Sequence, residues 1–195
     1  MGTITADLIG EELTVEGTVV GAASFSQGFK LTLDDGSGRI VLLMWHNVFD
    51  DCWDRPKLNL GAAVRAGGEV TEYEGQLQIE PHFGGEVKAI AGPGPEPARR
   101  DIGSISGDDA GERVTIEGEV QRTEGLSSAV KVFVKDETGE ILVLVWRNVL
   151  DRIDGNTALG TPGSRVRVVG TAQVYRSNLE VVPALPTDVT VVSVP

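Results

Sequence analysis

The sequence is poor in the residues from which most catalytic and metal sites are built. It contains one cysteine, Cys52, and two histidines, His46 and His82. A single cysteine excludes an intrachain disulfide framework, and neither histidine has a partner at a metal-binding spacing along the chain. The sequence contains no phosphate-binding loop, nucleophile elbow or dinucleotide-binding glycine motif. We therefore predict a protein that is not an enzyme and that uses no metal and no cofactor, with Cys52 as a small buried apolar residue.

Long apolar runs are also missing. The N-terminal stretch MGTITADLIG has no basic region followed by an apolar core, so it does not resemble a secretory signal. No segment is apolar over the length of a membrane span. We expect a cytoplasmic protein with no membrane partner, although a trimmed secreted protein would show the same pattern. The sequence leaves the oligomeric state open.

Basic residues are fewer than acidic ones, and the excess of acidic residues differs between the two halves of the chain. The net charge is −12, which argues against a coat for duplex DNA, because such proteins normally present a basic surface. Residues 1–92 hold 14 acidic and 6 basic side chains, whereas residues 93–195 hold 15 and 11. The second half is therefore the better candidate for an anionic ligand.

The most informative feature that is present is an internal repeat. The segment LTVEGTVV at 13–20 returns as VTIEGEVQ at 114–121, and GRIVLLMWHNVFD at 38–50 returns as GEILVLVWRNVLD at 139–151. The offset is 101 residues and becomes 102 in the last third of each copy. A register held over this length indicates two copies of one fold.

A Pro/Gly-rich break separates the copies. Its sequence, AGPGPEPARR, has no hydrophobic periodicity and is typical of a short, semi-stiff linker. We predict a first domain at 1–90, a linker at 91–100 and a second domain at 101–195.

Each copy contains five segments in which apolar and polar residues alternate, as in half-buried strands. In the first copy they begin near Leu13, Phe29, Arg39, Val64 and Leu77. A short helix is predicted after the third segment, capped by the asparagine that follows the tryptophan. Four glycines inside the first and fourth segments predict sharp bends or bulges, at Gly17, Gly68, Gly118 and Gly170. The pattern predicts an all-β protein with two tandem five-stranded Greek-key barrels, each with a short helix between strands 3 and 4.

This order of elements resembles the OB-fold. The run DDGSGRIVLLMWHNVFD at 34–50 and its repeat DETGEILVLVWRNVLD at 136–151 are similar to the D-x-x-G-x-I-x-x-x-x-W/F-N segment of replication protein A-like and anticodon-binding-type OB domains. The resemblance implies a partner that is single-stranded nucleic acid, with DNA slightly favoured over RNA, bound on the face of strands 2 and 3. It also implies that the aromatic residue ending strand 3 stacks on bases.

Alternation along the strands gives the candidate binding residues. If Ile40, Leu42 and Met44 point inward, Trp45 points outward, and Trp146 does so in the second copy. A base stacked on such an indole contributes about 1–3 kcal/mol. The alternative is that each tryptophan closes its barrel against the following helix. The second copy is expected to dominate, and the complete predicted set is Trp146, Phe133, Lys131, Arg147, Arg167, Tyr175, Arg176, Trp45, Lys30, His46, Arg65, Tyr73 and Phe25.

Several of these residues have a second interpretation. Phe133 is expected to form a two-ring platform with Trp146. The alternative is that Phe133 makes an interdomain contact. The tyrosines at 73 and 175 sit in the predicted strand 4–5 loop, and Phe25 in a predicted loop at 21–28 that corresponds to 122–128 in the second copy. Each ring either clamps a base or folds over the barrel edge.

Three other functions fit the same pattern. An acidic adaptor could use the outward apolar residues of strand 3 to bind a protein partner. The chain could also be an accessory module of a larger secreted nuclease. Oligosaccharide binding is permitted by the fold alone.

Overall fold

A computed structural model describes residues 1–195. The chain divides into two compact units, Met1–Pro95 and Glu96–Pro195, so the division falls inside the predicted linker. The end of that linker belongs to the second unit, because Arg99 forms a β-bridge with Thr115 and the Arg100 amide donates to the Thr115 carbonyl. None of the helices has the length and apolar character needed to span a membrane.

The first unit is a closed ring of five strands with a sixth strand beside it. The ring follows the pairings β1–β2, β2–β3, β3–β5, β5–β4 and β4–β1, of which only β3–β5 is parallel. Strand β6 pairs antiparallel with the first half of β4. The elements are β1 Glu12–Phe25, β2 Gly28–Asp34, β3 Arg39–Trp45, α1 His46–Asp51, β4 Ala63–Tyr73, β5 Gln76–Glu80 and β6 Val87–Ala91.

The second unit repeats this topology strand for strand, with β9 and β11 as its parallel pair and β12 as its added strand. The predicted all-β class, with two barrels and a short helix after the third strand of each, is confirmed. The elements are β7 Arg113–Gly125, β8 Ala129–Lys135, β9 Glu140–Trp146, α2 Arg147–Leu150, β10 Arg165–Tyr175, β11 Asn178–Val182 and β12 Val189–Ser193.

The sixth strand of each unit was not predicted. Pro81 ends β5, and the chain then passes through a 3-10 turn at Gly84–Glu86 before it returns along β4. The five residues of β6 are too few to show alternation clearly, and they lie where the sequence approaches the linker.

The core follows the predicted alternation on β2. Phe29, Leu31 and Leu33 are fully buried, whereas Lys30 and Thr32 between them are half-exposed. Strand β3 differs, because both of its faces are covered. Val41 and Leu43, which alternation places outward, are each only 4% exposed. The sequence shows this as the unbroken apolar run from Ile40 to Met44.

The first strand of each unit is longer than predicted. Strand β1 continues to Phe25, so the predicted loop at 21–28 is a hairpin with a turn of only two residues. A β-bulge between Val19 and Gly21 interrupts the pairing of β1 with β2. Strand β7 has the corresponding bulge between Val120 and Arg122. Because a bulge breaks the alternation, the far half of each strand does not look like a strand in the sequence.

Glycines are required where the barrels curve tightly. A Cβ at Gly118 would lie 2.4 Å from the carbonyl oxygen of Lys135 on the neighbouring strand. Gly68 adopts a φ of 155°, and a Cβ there would lie 2.5 Å from the carbonyl oxygen of Glu80. These glycines therefore allow close approach of the backbones, while the bulges of β1 and β7 lie beyond Gly17 and Gly118.

The predicted capping of the helices by asparagine is wrong. Helix α1 begins at His46 with Trp45 as its N-cap residue, and no side chain caps it; α2 begins in the same way at Arg147. The first helical amide is satisfied instead by the preceding hairpin turn. His46 N donates to the Gln27 carbonyl at 2.9 Å, and Arg147 N donates to the Ser128 carbonyl at 2.9 Å.

The D-x-x-G motif has a structural role at the β8–β9 turn. The Asp136 carboxylate accepts hydrogen bonds from the Thr138 hydroxyl and from the amides of Ile102, Thr138 and Gly139. Partial burial raises the pKa of the Asp136 carboxyl, but these hydrogen bonds outweigh it and lower the pKa to about 2. The motif thus fixes the turn and ties the segment before β7 to it.

We expect Asp136→Ala to lower the free energy of unfolding of the second unit by about 2 kcal/mol, the range for hydrogen bonds to a charged group. Since the folded pKa lies below the ordinary 3.8, the stabilisation is present above pH 4 and is lost as pH falls toward 2. Urea unfolding at pH 7 and at pH 2.5 measures both effects. The control is Glu137→Ala at the exposed neighbouring position; equal losses in the two variants would contradict the assignment.

Candidate nucleic-acid interface

Trp146 is the most open aromatic ring on the outer face of β8 and β9. It is 40% exposed and makes neither a hydrogen bond nor a ring contact with another side chain. The residue directly opposite on β8 is Ala129, which is buried. Arg147 follows immediately and is exposed. An indole with an accessible face beside a permanent cation is suited to a stacked base and its phosphate.

Phe133 does not lie beside Trp146. It pairs with Leu142, which precedes Trp146 by four residues on β9, a separation of about 13 Å along the strand. Its ring is covered by the guanidinium of Arg122, whose Cζ is 3.5 Å from the ring centroid. Glu140 holds that guanidinium in an ion pair of 2.8 Å. The two-ring platform is therefore one open indole and one ring already stacked with arginine.

Arg122 was missed because it lies in the segment interpreted as a loop. The structure places it on β7, directly opposite Phe133. An outward phenylalanine facing an arginine across two strands is a recognisable pair, but only when the bulge between Val120 and Arg122 is known.

Lys131 and the hairpin tip supply further cations to this unit. Lys131 is 34% exposed and lies 3.8 Å from Glu124. At the β10–β11 tip Tyr175 is 55% exposed, and the Arg176 guanidinium lies 5.3 Å from its ring centroid. Both Arg176 and Ser177 have positive φ, at 48° and 68°, in the left-handed region.

Left-handed backbone at Ser177 predicts a stabilising substitution. Glycine accepts this region without the strain of about 1–3 kcal/mol that a Cβ introduces, and its greater chain entropy costs about 0.5–1 kcal/mol. Ser177→Gly should therefore raise the free energy of unfolding by about 1 kcal/mol. The matched control is Ser127→Gly in the β7–β8 turn, where φ is not positive; there the change should be neutral or destabilising. Urea unfolding of both variants measures the difference, and a loss of stability in Ser177→Gly would contradict the prediction.

The structure does not bring the strand 4 arginines to this face. Arg167 precedes Tyr175 by eight residues, about 27 Å along β10. It pairs with Glu117 and Thr190 in register, and its guanidinium lies 3.6 Å from Glu96. The equivalent Arg65 forms an ion pair of 2.9 Å with Glu16. Both arginines lie on the half of their strand that pairs with the added sixth strand.

The same face of the first unit is occupied by its own side chains. The Trp45 ring is half-buried and meets Phe25 edge-on, with centroids 5.5 Å apart. The Lys30 ammonium lies 5.8 Å from the Phe25 ring and 5.1 Å from the Tyr73 ring. Leu43, the register partner of Lys30 on β3, is buried.

Acidic groups border Trp45 as well. Its indole Nε1 donates a hydrogen bond to Glu80, and the adjoining groove is lined by Glu69, Glu80 and His82. His46 turns away from the face, and its ring lies 5.9 Å from that of Phe29. In the second unit valine stands where Glu80 does, at Val182, so Trp146 has no such partner.

Two closed five-stranded rings, each with a helix after the third strand and a parallel pairing of the third and fifth strands, define the chain as a tandem OB-fold protein. Residues 13–82 match the model of a tRNA anti-codon family described as the OB-fold nucleic acid binding domain. The match lies within the first unit and covers less than half of the chain. No curated protein matches the chain.

Solved structures with similarity to the chain include three of different kinds. Asparaginyl-tRNA synthetase from Pyrococcus horikoshii is 18% identical with a TM-score of 0.42, and the match covers 50% of this chain and 24% of the synthetase. The HINb domain of p204 is 15% identical with a TM-score of 0.37, over 89% and 93% of the two chains. A replication protein A heterotrimer bound to single-stranded DNA is 18% identical with a TM-score of 0.33, over 42% and 58%.

Proposed function

We propose that the second unit binds single-stranded nucleic acid, without catalysis, on the outer face of β8 and β9. The observation that carries the proposal is the state of Trp146: it is exposed, it makes no hydrogen bond or ring contact with another side chain, and Arg147 follows it. A base stacks on the indole, and the arginine pairs with the adjacent phosphate.

The Arg122–Phe133 pair extends the face along β8. A guanidinium stacked on a ring still presents its second face, so the plane of Arg122 can lie against a base. The distance of about 13 Å between the levels of Phe133 and Trp146 leaves room for more than one nucleotide. We extend the proposal to DNA in preference to RNA because the 136–151 motif resembles that of replication protein A-like domains.

The first unit is proposed to contribute little to binding. Trp45 is engaged by Phe25 and Glu80, and Lys30 is placed between two rings of its own unit. Carboxylates at the groove beside Trp45 repel phosphate. The more negative charge of the first half of the sequence agrees with this division.

The test is the fluorescence anisotropy of a labelled 20-nucleotide single strand titrated with the whole protein at 50 and 200 mM salt. A face that neutralises about three phosphates of a single strand predicts a log–log salt slope near −2. RNA and duplex DNA of the same sequence serve as comparisons and should bind more weakly. No anisotropy change at tens of micromolar protein would overturn the proposal.

A specific observation favours a protein-binding adaptor as the second candidate. Trp53 is 89% exposed and Phe83 is 54% exposed. Their segments contact each other, since the Gly84 amide donates to the Asp51 carboxylate at 3.0 Å. A flat nucleic-acid titration would shift the assignment to this candidate.

A further inference from the structure

Three potential metal ligands meet at one corner of the first unit, far apart in sequence. They are Glu12 at the start of β1, Glu69 on β4 and His82 after β5, and one ligand atom of each lies within 4.8 Å of the other two. Glu12 and Glu69 are register partners across the β1–β4 pairing. The His82 Nε2 lies 2.7 Å from a Glu12 carboxylate oxygen. Nothing in the spacing of these residues along the chain pairs His82 with either glutamate.

The corner has an excess of negative charge. The His82 amide donates to Glu86 at 2.7 Å, so a third carboxylate joins the group. Glu12, Glu69 and Glu86 all act electrostatically on the one imidazole. Neither Glu12, Glu69 nor Glu86 forms an ion pair with lysine or arginine.

In the second unit, an arginine neutralises the carboxylate at the corresponding corner. Arg113 stands in place of Glu12, and its guanidinium lies 2.7 Å from Asp188. Asp188 corresponds to Glu86 and accepts a hydrogen bond from the Ala184 amide, as Glu86 does from that of His82. Thr171 and Ala184 replace the other two ligands. In the repeat that lacks the ligands, an arginine of the same chain therefore neutralises the corresponding carboxylate.

We propose that Glu12, Glu69 and His82 bind a divalent transition-metal ion, with Zn²⁺ the best fit and water in the remaining position. One imidazole and two carboxylates suit zinc, whereas calcium and magnesium prefer all-oxygen sites. Zinc–ligand distances of about 2.0–2.2 Å at tetrahedral angles place the ligand atoms about 3.4 Å apart. The three atoms lie within 4.8 Å of one another, and binding requires the 2.7 Å contact between His82 and Glu12 to open slightly. The exposed side chains of Glu12 and His82 permit that movement. This inference does not rest on nucleic-acid binding by the second unit.

The test is calorimetric titration of the chelator-treated whole protein with Zn²⁺, followed by Co²⁺ titration monitored by ligand-field absorption. The expected result is one Zn²⁺ per chain and a tetrahedral Co²⁺ spectrum. Loss of a ligand should exceed the 10- to 100-fold effect of an outer-shell change, so Glu12→Arg and His82→Ala should each weaken Zn²⁺ binding at least about 100-fold.

We expect Glu12→Arg to fold normally, because the second unit has an arginine, Arg113, at the corresponding position. The matched control is Glu11→Arg, the same change at the preceding exposed residue, which should alter Zn²⁺ affinity less than threefold. Zn²⁺ should raise the melting temperature of the wild type and the control but not of Glu12→Arg. The proposal is overturned if the wild type takes up no Zn²⁺, or if Glu12→Arg and His82→Ala bind it as the wild type does.

Discussion

Trp146→Ala is expected to lower the affinity of the protein for a 20-nucleotide single strand about 5- to 140-fold. The loss of one stacked base removes about 1–3 kcal/mol of binding free energy, and each 1.4 kcal/mol corresponds to a factor of ten. The variant should remain folded, because the ring is 40% exposed and makes no hydrogen bond or aromatic contact with another side chain. Anisotropy titration at 50 mM salt measures the affinity, and circular dichroism verifies the fold.

The matched control is the equivalent tryptophan of the first unit. Trp45→Ala should change the affinity less than about threefold, because the Trp45 ring is engaged by Phe25 and Glu80. The comparison is internal, since both residues end the third strand of the same fold. Equal losses in both variants would contradict the division of roles between the units, and no loss in either would remove stacking from the account.

Phe29→Ala should have the largest effect on stability, lowering the free energy of unfolding of the first unit by about 3–5 kcal/mol. Phe29 is fully buried, and its ring packs against that of Phe49 with centroids 4.2 Å apart. It joins β2 to the helix that follows β3. Urea unfolding monitored by tryptophan emission reports on this unit, because two of the three tryptophans, Trp45 and Trp53, lie in it.

Phe83→Ala provides the control for this prediction. Phe83 is 54% exposed, and a substitution at such a position usually changes stability by no more than about 0.5 kcal/mol. A similar loss in the two variants would mean that the core of the first unit does not centre on Phe29.

The sequence predicts the core of each barrel because its signal is local. Alternation along β2 depends only on neighbouring residues, so the inward positions of Phe29, Leu31 and Leu33 are visible in a seven-residue window. The repeat adds a second instance of each pattern. The same reasoning placed Trp146 outward, where the structure also has it.

Features that depend on pairing between strands were not predictable. The bulge between Val120 and Arg122 shifts the alternation by one residue, so β7 seemed to end early and Arg122 was not recognised as the partner of Phe133. The same cause turned the end of β1 into a predicted loop. Alternation shows which way a side chain points but not whether other side chains cover it. Alternation therefore places Leu43 at the surface, although it is buried.

The cluster of Glu12, Glu69 and His82 was not predictable for the same reason, because it also depends on pairing between distant strands. Glu12 meets Glu69 only because β1 pairs with β4 when the ring closes, and His82 joins them after β5 returns along β4. The spacing of these three residues along the chain does not indicate that the ring of strands brings them together. Metal-ligand spacing in the sequence could therefore neither suggest nor exclude the site.

The central claim is that the Trp146 face of the second unit receives a base. A protein with both Trp45→Phe and Trp53→Phe retains Trp146 as its only tryptophan, so its emission reports on this face alone. We predict that a 20-nucleotide single strand quenches that emission in a saturable manner at 50 mM salt, with weaker binding at 200 mM. Emission that stays unchanged up to tens of micromolar single strand, from a folded protein, would contradict the claim.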